Sequence, residues 1–167
     1  MMNKKIKDIL QIDQSHLGIL RLILDDPKNK NALSEKMMHQ LQQRIIEASS
    51  NGSVKVIIIA AVGDVFCAGH NLKDITVARA NSDAGKKYFS DLFNLCSSLM
   101  QIITKCPKPV IAEINGVATA AGCQLVASCD LAIASDQSKF ATPGVNIGLF
   151  CSTPMVALSR NVSKKIQ

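Results

Sequence analysis

The stretch Val54–Val62, VKVIIIAAV, is apolar at every position except Lys55. A strand with one face in water alternates polar and apolar residues, whereas an unbroken run needs cover on both faces, which helices crossing over a parallel sheet provide. This segment is therefore the expected centre of a sheet. Gly18–Leu24 (GILRLIL) is a second β-rich run, preceded by a shorter one at Ile9–Ile12, with the polar Asp13–His16 between them as a hairpin turn. Ser34 is a good helix N-cap, Glu35 suits the first turn, and Leu33 is placed to staple against Met38. Met37, Met38, Leu41, Ile45 and Ile46 then share one helical face until Asn51–Gly52 stops the helix.

Beyond the central strand, the spacing predicts a long helix over Asp83–Thr104. It turns Tyr88, Phe89, Leu92, Phe93, Leu95, Cys96, Leu99, Met100 and Ile103 inward and is broken by the proline pair of CPKP. Val110–Ile114 is the next strand, turning at Asn115–Gly116. A short helix, a strand at Leu131–Ser135 and a loop into KFATPGVNIGLF complete the order. Strands alternating with helices define an α/β fold, read as one domain over residues 1–167 with no internal repeat, low-complexity tract or linker.

A content of 47% hydrophobic residues suffices for a sizeable core. The net charge of +6 raises the possibility of nucleic acid, but there is no Trp and one Tyr. The basic residues are dispersed apart from Lys4–Lys5–Lys7 and Lys164–Lys165. A smaller phosphate-bearing ligand fits that pattern better. The six cysteines, at 67, 96, 106, 123, 129 and 151, show no CxxC pair and no metal-like spacing, so they read as reduced core thiols with no metal. The basic start MMNKKIKDIL lacks the apolar run of a secretory signal, and no segment has the apolar length of a membrane helix. The expectation is a cytoplasmic protein that meets neither nucleic acid nor membrane.

Ala118–Asp130, ATAAGCQLVASCD, sets tiny residues directly against an apolar stretch. Two readings stand at this point. Ala120, Ala121 and Gly122 can let a helix pack tightly on a sheet, or they can bare the N–H groups of a helix N-terminus to an anion or oxyanion. A second loop, Gly63–Leu72 (GDVFCAGHNL), likewise leaves a strand in small residues. If the two strands are neighbours, amides from both loops can converge on one carbonyl oxygen.

Four ordered motifs sharpen this: Lys30–Ser34 (KNALS), Lys55–Asp74 (KVIIIAAVGDVFCAGHNLKD), Lys108–Ser135 (KPVIAEINGVATAAGCQLVASCDLAIAS) and Phe140–Phe150 (FATPGVNIGLF). Together they resemble the crotonase, or enoyl-CoA hydratase/isomerase, family from about Leu17 to Ser159. The resemblance implies an α/β crotonase-like spiral of ββα units, C-terminally truncated. It also implies an acyl-CoA thioester as ligand, with coenzyme A entering as part of the substrate and no separately bound cofactor, and lyase or isomerase chemistry in fatty acid metabolism. It puts the oxyanion donors at the N–H groups of Ala68 and Ala121; losing one such donor typically costs about 2.7–4 kcal/mol of barrier. It puts the nucleotide-binding loops at Lys30, Asn31, Ala32 and Leu33 and at Ala68, Gly69, His70 and Asn71. Lys28, Lys30 and Lys73 then either meet phosphates or are solvated surface lysines.

The chain departs from that family in two ways. Typical hydratases of the family use two glutamates as general base and general acid. The resemblance maps those positions to Gln124 and Gly144, and an amide does not exchange protons near neutral pH. Hydratase chemistry is thus in doubt, and a catalytically silent CoA-thioester binder or interaction module is the alternative. His70 is a tentative substitute by its ordinary pKa. Cys123 and Cys151 are possible nucleophiles that read more simply as inert thiols. Glu113 and Asp130 are better explained by solvation or capping. The second departure is length: the family usually continues through a last core unit and C-terminal helices that pack between subunits. A fragment, a truncated gene product and a short protein covered by association all fit. Each predicts exposed apolar surface around Phe150–Leu158, with self-association, as a homo-oligomer, or poor stability.

Overall fold

The structure is a computed structural model that describes residues 8–15, 17–148 and 150–163. The terminal lysine clusters, His16 of the expected turn and Leu149 of FATPGVNIGLF lie outside the described residues. Strand β1 (Leu10–Gln14) pairs antiparallel with β2 (Ile19–Leu24) in the register Ile12 opposite Leu22. β1 continues two residues beyond Ile12, into the expected turn, because Asp13 and Gln14 pair with Arg21 and Leu20. A 3-10 turn (Pro27–Asn29) leads to helix α1 (Glu35–Ser50), capped by Ser34, whose Oγ accepts from the Met37 N–H at 3.3 Å. Next come β3 (Val56–Ala61), β4 (Val65–Cys67), α2 (Leu72–Ala78) and α3 (Lys86–Thr104). β5 (Val110–Ile114), β6 (Val117–Thr119) and α4 (Ala121–Ser128) follow. β7 (Leu131–Ala134), β8 (Lys139–Ala141), a second 3-10 turn (Pro143–Ile147) and α5 (Ser152–Asn161) end the described order.

The strands form two sheets, one of five strands in the order β1-β2-β3-β5-β7 and one of three in the order β4-β6-β8. All pairings except β1 with β2 are parallel. The pairs β3-β4, β5-β6 and β7-β8 each place their first strand in the large sheet and their second in the small one, and helix follows each pair. The chain thus winds as repeated ββα units. That repetition is one of path, and it corrects the expectation of no internal repeat at the level of structure.

β3 is the middle strand, as its composition requires. One face carries Ile57 and Ile59, both fully buried, opposite Leu20 and Leu22 of β2 and Val110 and Ala112 of β5. Met37, Met38, Leu41 and Ile45 of α1 and Leu99 and Ile103 of α3 join them in the core. Ile46 and Phe93 are exceptions to the expected inward faces, at 55% and 53% exposed, since each sits at the border of its helix's apolar stripe. α3 starts at Lys86 rather than Asp83 because Ala84 and Gly85 take positive φ (54° and 81°). Asp83 still serves the helix, accepting from the N–H groups of Gly85 and Lys87.

The last unit contrasts with this core. Leu131, Ile133, Phe140, Val145, Phe150 and Val156 are each at least half exposed. The expected open apolar surface is present and extends from Phe150 back to β7. Among the described residues no helix is long and apolar enough to cross a membrane.

Candidate active site

The site is built where three segments meet. The Lys30–Leu33 stretch lies against the loop after β4: Ala68 donates its N–H to the Lys30 carbonyl at 3.1 Å, Leu33 donates to the Gly69 carbonyl at 2.8 Å, and Leu33 and His70 form a parallel bridge. Asn31 locks the first segment. It is fully buried with φ of 50°, accepts from the Asp26 N–H at 2.8 Å and donates to the carbonyls of Val62 (2.9 Å) and Val65 (2.7 Å). The β6-α4 junction is the third segment. Thr119 donates its hydroxyl to the Ala68 carbonyl at 3.1 Å. Gly69, at φ of 88°, faces Ala120 and Ala121 so closely that an added Cβ would lie 3.2 Å from the Ala121 nitrogen.

Both readings of the bare segment now have a residue. Gly122 is the packing residue, since a Cβ there would lie 2.2 Å from the Cys67 carbonyl oxygen. Ala121 is the open donor: it begins α4, so its N–H has no intrahelical acceptor, and Ala120 supplies no side-chain cap. Ala120 itself takes φ 50° and ψ −122°, a conformation a methyl-bearing residue rarely adopts.

Ala68, the second amide of the expected pair, is engaged within the protein. Ala68's N–H already donates to Lys30, so it does not face the junction. Its role is to tie two loops together. The peptide between Gly69 and His70 points the other way. In a trans peptide the C=O and N–H are opposed, and the Gly69 carbonyl is directed to Leu33, which aims the His70 N–H away from Leu33. By the same geometry the Cys67 carbonyl, opposed to the Ala68 N–H, points at Gly122 of α4. The His70 amide is therefore on the α4 side, and no acceptor is bonded to it among the described residues. The direction of each amide follows from the register between the two loops, which no local residue pattern carries.

The remaining candidates divide clearly. Lys30, Asn31, Ala32, Leu33, Ala68, Gly69, His70 and Asn71 are brought together by the loop contacts just described. Ala32 and Leu33 are buried and Asn31 is fully bonded, so they shape the loops from inside. Asn71 caps α2 through its Oδ1, which accepts from the Lys73 N–H, while Lys28, Lys30 and Lys73 are exposed. His70's ring packs edge-on against Phe93 (5.5 Å), with Nδ1 3.4 Å from the Leu33 carbonyl; burial depresses its pKa, so the neutral ring prevails at neutral pH. Gln124 lies one turn after Ala121 on α4, and its Oε1 is buried with no hydrogen-bond partner. Gly144 is buried in the second 3-10 turn.

Burial disfavours the thiolate at several of the cysteines. Cys123 is 2% exposed, donates to the carbonyls of Ala118 and Ala141, and has its pKa pushed up by burial. Burial likewise pushes Cys67 and Cys129 to about 12. Cys151 is half-buried before α5. Asp130 accepts from the Val110 N–H at 2.8 Å and so caps the start of β5. Glu113 differs from the solvated expectation: it takes both arms of Arg21 (2.7 and 2.8 Å), and that guanidinium holds its carboxyl below the usual range. Among the described residues no group of His, Cys, Asp and Glu could hold a metal ion.

Comparison with known proteins bears on the whole arrangement. Residues 14–166 match the family described as enoyl-CoA hydratase/isomerase. The chain is 54% identical over 157 residues to the mitochondrial enoyl-CoA hydratase domain-containing protein 3 of Xenopus laevis, covering 94% of this chain and 52% of that protein. The Homo sapiens protein of the same name is 52% identical over 149 residues, with 89% and 48% covered. A crystal structure of an enoyl-CoA hydratase from Mycobacterium smegmatis superimposes with a TM-score of 0.87 at 46% identity, covering 96% of this chain and 60% of that one. The crystal structure of human enoyl coenzyme A hydratase domain-containing protein 3 gives 0.85 at 49% identity, with 95% and 60% covered. The chain thus spans about half the length of these named relatives. The relatives' names also overturn the cytoplasmic expectation, because both are mitochondrial. Lack of a secretory apolar run does not separate those two compartments, since mitochondrial targeting segments are basic and amphipathic.

Proposed function

The chain belongs to the enoyl-CoA hydratase/isomerase family, and on that premise we propose that it binds an acyl-CoA thioester whose carbonyl oxygen accepts from the amides of Ala121 and His70. The single observation carrying this reading is the pair of N–H groups, one at the head of α4 and one on the α4 side of the adjoining loop, with no protein acceptor described for either. Ala68, first paired with Ala121, supports the pocket through Lys30 instead. A carbonyl held by two amides is polarised toward an enolate-like state, and the positive end of the helix dipole adds to that stabilisation. The loops carrying Lys30–Leu33 and Ala68–Asn71 would border the nucleotide part of coenzyme A, with the exposed lysines near its phosphates. The setting proposed is mitochondrial, like that of the relatives.

The reaction is a separate matter. The proposed hydratase positions hold Gln124 and Gly144, neither of which moves a proton near neutral pH. His70 is neutral and so can act as a base, but its Nδ1 lies near the Leu33 carbonyl and its ring is half-buried against Phe93. This favours binding without hydration over an active hydratase. Calorimetry with crotonyl-CoA, run beside the absorbance of the conjugated thioester, tests both halves. Binding with no loss of absorbance is expected; no binding overturns the site, and turnover overturns the silent reading. Adding Gln124→Glu together with Gly144→Glu tests whether missing acids alone account for silence.

A further inference from the structure

β3 is apolar on both of its faces, and the fold covers one of them. Ile57 and Ile59 turn into the helix-covered core, while Val56 and Ile58 turn the other way and remain only half-buried. The registers place Ile19 and Ile23 of β2 and Ile111 of β5 on that outer face too, each half-buried as well. Parallel sheets are ordinarily covered on both sides, and a patch of branched aliphatic side chains is unfavourable in water. This patch is separate from the open surface of the last unit, where Phe140, Val145 and Phe150 lie outside the five-stranded sheet.

The charges on the outer face decide what fits it. Arg21 of β2 and Glu113 of β5 flank β3 and bridge it with their ion pair, and their side chains stay 31% and 45% exposed. A cation on one side of the central strand and an anion on the other make the face its own electrostatic complement. A second copy, turned about a twofold axis lying along β3, sets β3 on β3 and β2 on β5, and so Arg21 against the partner's Glu113 at two symmetric places. The strand order β1-β2-β3-β5-β7 is centred on β3, so the two sheets overlap across their full width, with β7 and the exposed Asp13 of β1 at the rim. Five strands of up to six residues span about 24 by 20 Å. Two copies then bury about 1,000 Å² together, the lower bound for a specific interface and the range of transient ones.

We propose that the outer face of the five-stranded sheet is a self-association surface whose occupant is a second copy of this chain, packed face to face about that axis. The aliphatic side chains supply the affinity. The ion pairs, whose desolvation offsets much of their attraction, fix the orientation.

The test is sedimentation velocity from about 1 to about 200 μM, where the natural chain should pass from monomer to dimer at tens of micromolar. Ile58→Lys sets two cations on the axis and should weaken association at least about tenfold, whereas Phe150→Lys, on the last unit, should leave it unchanged. Arg21→Glu and Glu113→Arg should each abolish self-association, because like charges then oppose each other across the axis. Mixed in equal amounts, these two variants should form a heterodimer: opposite charges meet at both contacts, although each chain keeps like charges within itself. A purely internal ion pair cannot produce that rescue. A natural chain that stays monomeric or forms a larger oligomer, an Ile58→Lys variant that still dimerises, loss of the dimer in Phe150→Lys, or a mixture no more associated than its components overturns the proposal. Circular dichroism checks folding: if a charge variant does not fold, Ile58→Lys against Phe150→Lys decides, and if Ile58→Lys does not fold, the mixture decides.

Discussion

β3 and β7 are apolar strands of one mostly parallel sheet, yet they live in different surroundings. In β3, Ile57 and Ile59 are wholly buried under α1 and α3; in β7, Leu131 is 60% and Ile133 64% exposed. Residue type is therefore a poor guide to what a strand contributes to stability here, and position in the winding is the better one. Early units close a core, while the last offers an apolar surface. The proposed site lies between them, on loops whose backs are buried and on a helix, α4, that belongs to the intermediate unit.

The sharpest way to break that comparison is to truncate one residue in each strand. Ile59→Ala should cost about 2–5 kcal/mol by urea unfolding, whereas Leu131→Ala should change stability by about 0.5 kcal/mol or less. Similar losses would mean that β7 is covered in solution. Next in size is Gly122→Ala. Its Cβ would meet the Cys67 carbonyl oxygen at 2.2 Å, a main-chain atom that cannot swing aside, so α4 must shift; a loss of about 1–3 kcal/mol and of thioester binding is expected. Unchanged binding would separate α4's placement from the site. Ala120→Gly should act in the opposite direction, raising stability by about 1 kcal/mol, because a residue held at φ 50° and ψ −122° stores strain that glycine does not.

The smallest effect concerns pH. Burial lowers the pKa of His70 below its ordinary 6.5, so the unfolded chain takes up the proton first. The contribution of the neutral ring is present above 6.5 and is lost as pH falls from there through the lower folded-state value. His70→Gln should flatten that part of the stability profile, measured by thermal unfolding between pH 7 and 5. A profile identical to the natural chain's would mean the ring is solvated.

Much of this architecture was legible in the residues. The unbroken apolar run identified the central strand, Ser34 marked the start of α1, and Val110–Ile114 was found to the residue, because each signal is local. The ends of elements were less legible where tertiary pairing overrides local chemistry, as when β1 extends through Asp13 and Gln14 to meet β2. The site shows the same division. Small residues at 68–69 and 120–122 flagged both loops, and the structure presses them together. Which amide faces inward was not legible, because it depends on Lys30 meeting Ala68 across a large sequence separation. Gln124's orphaned oxygen was equally invisible, being a property of everything around it.

His70 keeps its ring against Phe93 while its main-chain N–H faces the opposite element. One consequence concerns heredity. A donor that belongs to the polypeptide scaffold survives every exchange at its own position except to proline, so most mutations replace the imidazole without deleting the amide hydrogen. An alanine scan would pass over it in silence. Only replacing that single linkage with an ester, through chemical synthesis, removes the hydrogen and leaves every side group in place.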